Sequence, residues 1–167
     1  MGIVEMILYV ALVGIIAVIL VNFLIGASYL AHQIQAEREV LTNARAISET
    51  MRRAVSEADR IYAPTSRFDV TLGQLSLRTP EGADTNHVTR FLDFWVDNGI
   101  LKMRREGESG DIPLSGPRVR VTQFTIERMI QDLNTETLRI TISITHTTPK
   151  NPPDATLTIA SVMRGRY

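Results

Sequence analysis

From Met6 to Gly26 the chain is almost wholly apolar, interrupted by one amide, Asn22, and bounded at its start by one carboxylate, Glu5. No further charge follows until Glu37, and polar character returns only around Ser28 and His32. About 20 apolar residues in a helix cross the ~30 Å hydrocarbon layer of a bilayer. The run therefore belongs in lipid or in an equally apolar protein core. An acid at the mouth of such a segment is costly unless something neutralises it, and by default it marks function.

The chain has 167 residues, and roughly 135 lie beyond the run, enough for one domain with its own core. Basic and acidic residues balance at 18 each, so bulk charge does not attract nucleic acid or an acidic partner. Cysteine is absent, which excludes disulfides, thiolate chemistry and cysteine-ligated zinc. The N-terminus does not read as a secretory signal peptide. No basic residue precedes the run, the run exceeds an h-region of about 7–15 residues, and no small-residue cleavage site follows it. It reads as a permanent anchor, residues 1–27, and the missing basic flank implies an upstream leader already removed.

Residues 28–63 contain no proline or glycine. Leu30, Ile34, Leu41, Ala44, Ile47, Met51, Ala54, Val55, Ala58 and Ile61 recur at steps of three and four, with Glu37, Arg38, Glu39, Arg45, Glu49, Arg52, Arg53, Glu57 and Arg60 between them. This is an amphipathic helix with a solvated opposite face, and Pro64 ends it at Ala63. Joined to the anchor, it predicts one helix of about 60 residues and ~90 Å. Beyond Pro64 the period changes to two. Strands are expected at Phe68–Leu72 and Leu75–Leu77, and a polar loop at Thr79–Asn86. Asn98-Gly99 between Val88–Asp97 and Ile100–Arg105 predicts a hairpin with a type I′ turn. Glu106–Gly116 reads as a loop. Arg118–Glu127 alternates through Val119 and Val121, then Phe124 and Ile126 after an irregularity. Leu138–His146 alternates cleanly, Thr147–Asp154 is a turn, and Ala155–Met163 is a last strand. One long helix followed by antiparallel strands is an α+β pattern, with residues 64–167 as the β head.

Met1-Gly-Ile-Val-Glu5-Met-Ile followed by an unbroken apolar helix resembles the mature N-terminus of type IV pilins and of type II secretion pseudopilins. In that family a prepilin peptidase of the inner membrane removes a basic leader after a glycine and methylates the new amine. Glutamate at the fifth mature position is the family's hallmark. The resemblance implies that Met1 is the processed, methylated end and that Met1 and Glu5 form the inter-subunit pairing used in assembly. It implies the pilin fold, one long N-terminal helix whose C-terminal half packs on an antiparallel sheet. It also implies a homo- or hetero-polymer of pilin subunits as partner, with an assembly ATPase behind it. The subunit would be anchored by a single pass in the inner membrane, then become part of an extracellular filament or periplasmic pseudopilus. The head resembles J-type minor pseudopilins in its strand-turn-strand before Arg104 and its Val119-x-Val121-x-x-Phe124 strand. Gly2 replaces a frequent threonine, the proline common near position 22 is missing, and the paired cysteines of many pilins are absent. Gly14 and Gly26 are the points where the anchor helix can loosen, or else places of close helix packing.

The remaining candidates are weaker. Asn22 is a candidate for an interhelical hydrogen bond or an amide at the membrane edge. The loop from Arg104 to Asp111 offers carboxylates, but without EF-hand spacing it reads as solvated. Lys102, Arg104, Arg105, Arg118 and Arg120 beside Phe94 and Trp95 read as a mixed-charge hairpin surface, with nucleic acid not expected as a partner. His32, His87 and His146 are too scattered for a metal site. No nucleophile motif such as G-x-S-x-G occurs, so neither an enzyme nor a cofactor is expected. The competing reading is a single-pass, membrane-tethered surface binding domain that does not polymerise.

Overall fold

A computed structural model describes residues 2–79, 90–132, 135–148 and 152–164. Helix α1 runs Ile3–Glu57 over 55 residues, and strands β1 to β8 follow it. The expected α+β arrangement is present, a long N-terminal helix packing on antiparallel strands. By contacts the chain divides into two units, Met1–Ala36 and Glu37–Tyr167. In the first, every described residue before Ala36 is solvent-exposed. It is the one helix among the described residues long and apolar enough to cross a membrane.

In the second unit α1 buries Val40, Ala44, Ile47, Met51, Ala54 and Val55, with Ala58 just past its end. These recur at steps of four and three and make one face. Leu41, expected in the stripe, is 43% exposed. It lies about 100° round the helix from Val40, which takes its place. Leu30 and Ile34 are likewise exposed.

The helix stops at Glu57, short of the expected Ala63. Pairing with the next strand outcompetes continued helix. After a last helical bond from the Ala58 N–H to the Ala54 carbonyl (3.1 Å), the Asp59 N–H donates to Arg78 and the Tyr62 N–H to Ser76. Strand β1 (Arg60–Ile61) then pairs antiparallel with β2 (Gln74–Thr79). The Arg78 guanidinium donates to both Asp59 carboxylate oxygens at 3.1 and 2.7 Å. That hydrogen-bonded carboxylate raises the Arg78 pKa above its ordinary value, against the opposing pull of burial.

The β region forms two sheets rather than one, ordered β1-β2-β3-β4-β5 and β6-β7-β8. In the first, Leu75 pairs with Phe94 and Leu77 with Leu92 across β2 and β3 (Arg90–Asp97). Strand β4 (Ile100–Arg105) returns through Asn98 and Gly99, whose φ values of 51° and 79° are those of the expected turn. The Glu106–Gly116 segment contains a two-residue strand, β5 (Ile112–Pro113). The second sheet comprises β6 (Val119–Asp132), β7 (Thr135–His146) and β8 (Asp154–Arg164). A bulge between Val121 and Gln123 keeps both Val119–Val121 and Phe124–Ile126 on the inner face, the irregularity that the side-chain pattern demanded. Leu138, Ile140, Ile142 and Ile144 of β7 close one core with the helix face and the first sheet.

Phe68–Leu72 is not a strand. Asp69 adopts φ 57°, and the segment crosses to β6 instead. The Asp69 N–H donates to Ile126, the Gly73 N–H to Phe124, and the Phe124 N–H to Thr71. Backbone groups of β6 that would have extended one sheet are occupied by this crossing and by the bond from the Val121 N–H to the Gly99 carbonyl. Two sheets result. The expected polar loop after Thr79, the start of the hairpin at Val88 and the centre of the Thr147–Asp154 turn lie outside the described residues.

Candidate functional site

Glu5 sits in the first turn of α1, its N–H bonded to the Gly2 carbonyl at 3.0 Å. A carboxylate at a helix N-terminus interacts favourably with the helix dipole. Its neighbours are apolar and uncovered, with Ile3 and Val4 79% and Met6 66% exposed. Among the described residues no cation pairs with the Glu5 carboxylate. Met1, the other half of the expected pairing, lies outside the described residues. Among the described residues Glu5 is thus an unpaired acid on an apolar, exposed surface.

Gly14 and Gly26 both lie inside the uninterrupted helix, and a Cβ built on either meets nothing within 4 Å. Neither glycine is required by packing among the described residues. Asn22 is exposed on the same helix, four residues before Gly26 and so on its face. Glu5, Gly14 and Gly26 are strung along the helix and are not brought together.

The other candidates resolve into local ion pairs. Asp111 accepts from Arg104 at 2.8 and 2.5 Å, and Lys102 lies between Asp97 (2.6 Å) and Asp111 (3.9 Å). The bond to Asp97 raises the Lys102 pKa. Arg104 also lies over the Trp95 ring at 5.3 Å, Arg105 is 3.7 Å from Glu108, and the Arg120 stem packs beside Gly99. The hairpin surface is therefore mixed in charge. A cleft of about 420 Å³ beside the end of α1 is likewise mixed, bordered by Arg53, Glu57, Arg90, Met103 and Arg105. His32 is exposed on α1 and His146 is buried. His87 lies outside the described residues.

A polar clamp around Glu39 escaped the sequence pattern, which places this residue on the solvated face. Its carboxylate is 3.4 Å from His146 Nε2 and 3.8 Å from Arg118. His146 Nδ1 accepts the Thr148 N–H at 3.2 Å, so the ring proton sits on Nε2 and points to Glu39. One turn on, the Asn43 amide donates to the Glu39 carbonyl and accepts the Gly116 N–H, both at 2.8 Å. The loop leading into Gly116 is held further by Ser115, whose Oγ accepts the Leu101 N–H. The only signal available was an i,i+4 Glu-Asn pair, too common to single out. Asn43→Ala leaves the Gly116 N–H without its acceptor and is expected to destabilise the head by about 1–3 kcal/mol, measured by urea denaturation.

Compared with family models, with curated proteins and with solved structures, the chain matches none.

Proposed function

We propose that this chain is a pilin-like structural subunit, anchored by residues 1–27 and polymerising through that helix into a type IV pilus-like filament. The observation that carries the reading is a helix start that is apolar on every side and wholly uncovered, with one carboxylate in its first turn that finds no cation among the described residues. Such a surface needs lipid before assembly and other helices afterwards. Lipid tails are as apolar as the side chains, so hydrophobicity alone does not drive the exchange. Close packing and a specific polar contact do. In this reading Glu5 pairs with the N-terminal amine of the neighbouring subunit's Met1 and sets the rise from one subunit to the next. Gly14 and Gly26, free of side-chain contacts within the described chain, let the helix adapt as it leaves the bilayer. The head domain supplies the filament's outer surface.

The test is to shear surface filaments from cells expressing the chain and to measure the N-terminal mass of the protein recovered. A methylated Met1 as the dominant species is expected. A chain confined to the membrane fraction, with an unmodified or extended N-terminus, favours the tethered binding domain instead.

A further inference from the structure

Sheet edges expose unpaired backbone N–H and C=O groups that template pairing with another chain, and most proteins shorten, cover or charge them. Among the described residues three of the four edges are managed. β1 and β5 are two residues long, and β5 carries Pro113. The outer side of β6 is occupied near Phe124 and Ile126 by the 69–73 crossing. β8 is different. It is 11 residues long, it stands last in its sheet, and among the described residues no backbone bond reaches its outer side. From Ala155 to Met163 it holds no charged residue, proline or glycine, so none of the usual protections is present. The strand alternates regularly. Ile159 is buried, Ala155 and Leu157 pack on the core, and Thr156, Thr158 and Ala160 are exposed.

We propose that the β8 edge is an interaction surface for the β8 edge of a second copy of this chain, paired antiparallel about Ile159. The ends of the strand select this occupant. Asp154 and Arg164, of opposite charge, lie five positions either side of Ile159. Antiparallel self-pairing centred there sets each Asp154 in register with the other copy's Arg164. Parallel pairing in register sets like charges side by side, which is unfavourable. The neutral stretch between adds no repulsion, and Thr158 of each copy falls opposite Ala160 of the other. The contact is two-fold and closes on itself, joining two three-stranded sheets into one of six. It stands whether or not the chain polymerises through its helix.

The natural absence of cysteine makes the register directly readable. Full-length Thr158→Cys and Ala160→Cys variants are prepared in detergent micelles and oxidised alone and as a mixture. Both sites are exposed, and circular dichroism verifies that the fold is kept. The mixture is expected to cross-link at least about tenfold faster than either variant alone, because only unlike positions are directly opposed. A second experiment places charge on the edge through the double substitution Thr158→Lys and Ala160→Lys in an Ile159→Cys background. With the edge otherwise unmodified, position 159 cross-links to itself, and the two lysines are expected to abolish that cross-link. Faster cross-linking of Thr158→Cys alone indicates parallel pairing and overturns the proposal, as do equal rates in all three samples or none.

Discussion

Glu5→Ala is expected to leave the chain in the membrane fraction and to remove it from sheared filaments. The substitution makes the anchor more apolar, so insertion does not suffer. In the proposed filament it deletes one partner of a pair buried in a helix bundle and strands the neighbour's N-terminal amine there. Removing one member of a buried ion pair costs about 3–5 kcal/mol, and each 1.4 kcal/mol is about tenfold in an equilibrium. Filament yield should therefore fall by roughly 100-fold or more, read as the ratio of sheared to membrane-bound protein on immunoblots. Glu5→Gln, which keeps the shape and removes the charge, should fall nearly as far. Filaments at the parent level from Glu5→Ala cells would remove the residue from the assembly mechanism. The structure bears on this through what surrounds the carboxylate: apolar, exposed side chains and no cation among the described residues.

Gly73→Ala is expected to be the most damaging small substitution in the head. An added Cβ lies 2.7 Å from the Arg67 carbonyl oxygen, 2.9 Å from Ile126 Cδ1 and 3.2 Å from the Phe124 carbonyl oxygen. Two of the three are backbone atoms, and the Gly73 N–H is itself bonded to Phe124 at 2.8 Å. Relief therefore requires moving the crossing away from β6. Ile126 and Phe124 are fully buried, so that movement opens the core. Overpacking of this kind costs about 1–3 kcal/mol and occasionally more, and the rigid neighbours place this site at the upper end. The measurement is the urea midpoint of the full chain in micelles, followed by head-domain circular dichroism. An unchanged midpoint would show that the crossing is not fixed to β6.

The parts of the fold legible in the sequence are those that one short-range rule decides. Asn98-Gly99 takes up positive φ because few other residue pairs do so cheaply, and the turn then sets the β3–β4 register. The break in alternation between Val121 and Phe124 required a bulge because the two halves of β6 are apolar on opposite phases, odd positions first and even ones after. Contests between distant partners were hidden. The helix end depends on Arg78 capturing Asp59, 19 residues away. The division into two sheets depends on backbone groups of the 69–73 crossing, which no side-chain period reports. Glu39 looked like one more charge on a wet face, and only the return of β7 brings His146 to it. For Glu5 the residue was legible at once, since a lone acid beside so long an uncharged run stands out.

The clamp around Glu39 and Asn43 also sets a timetable. Asn43 waits for Gly116, 73 residues later, and Glu39 for His146, 107 residues later. At ribosomal speeds of about 5–20 residues per second, the later partner emerges roughly 5–20 s after the helix that needs it. Throughout that interval the core over the stripe from Val40 to Val55 is incomplete, because β7 has not been finished, and a chaperone has its opportunity to bind.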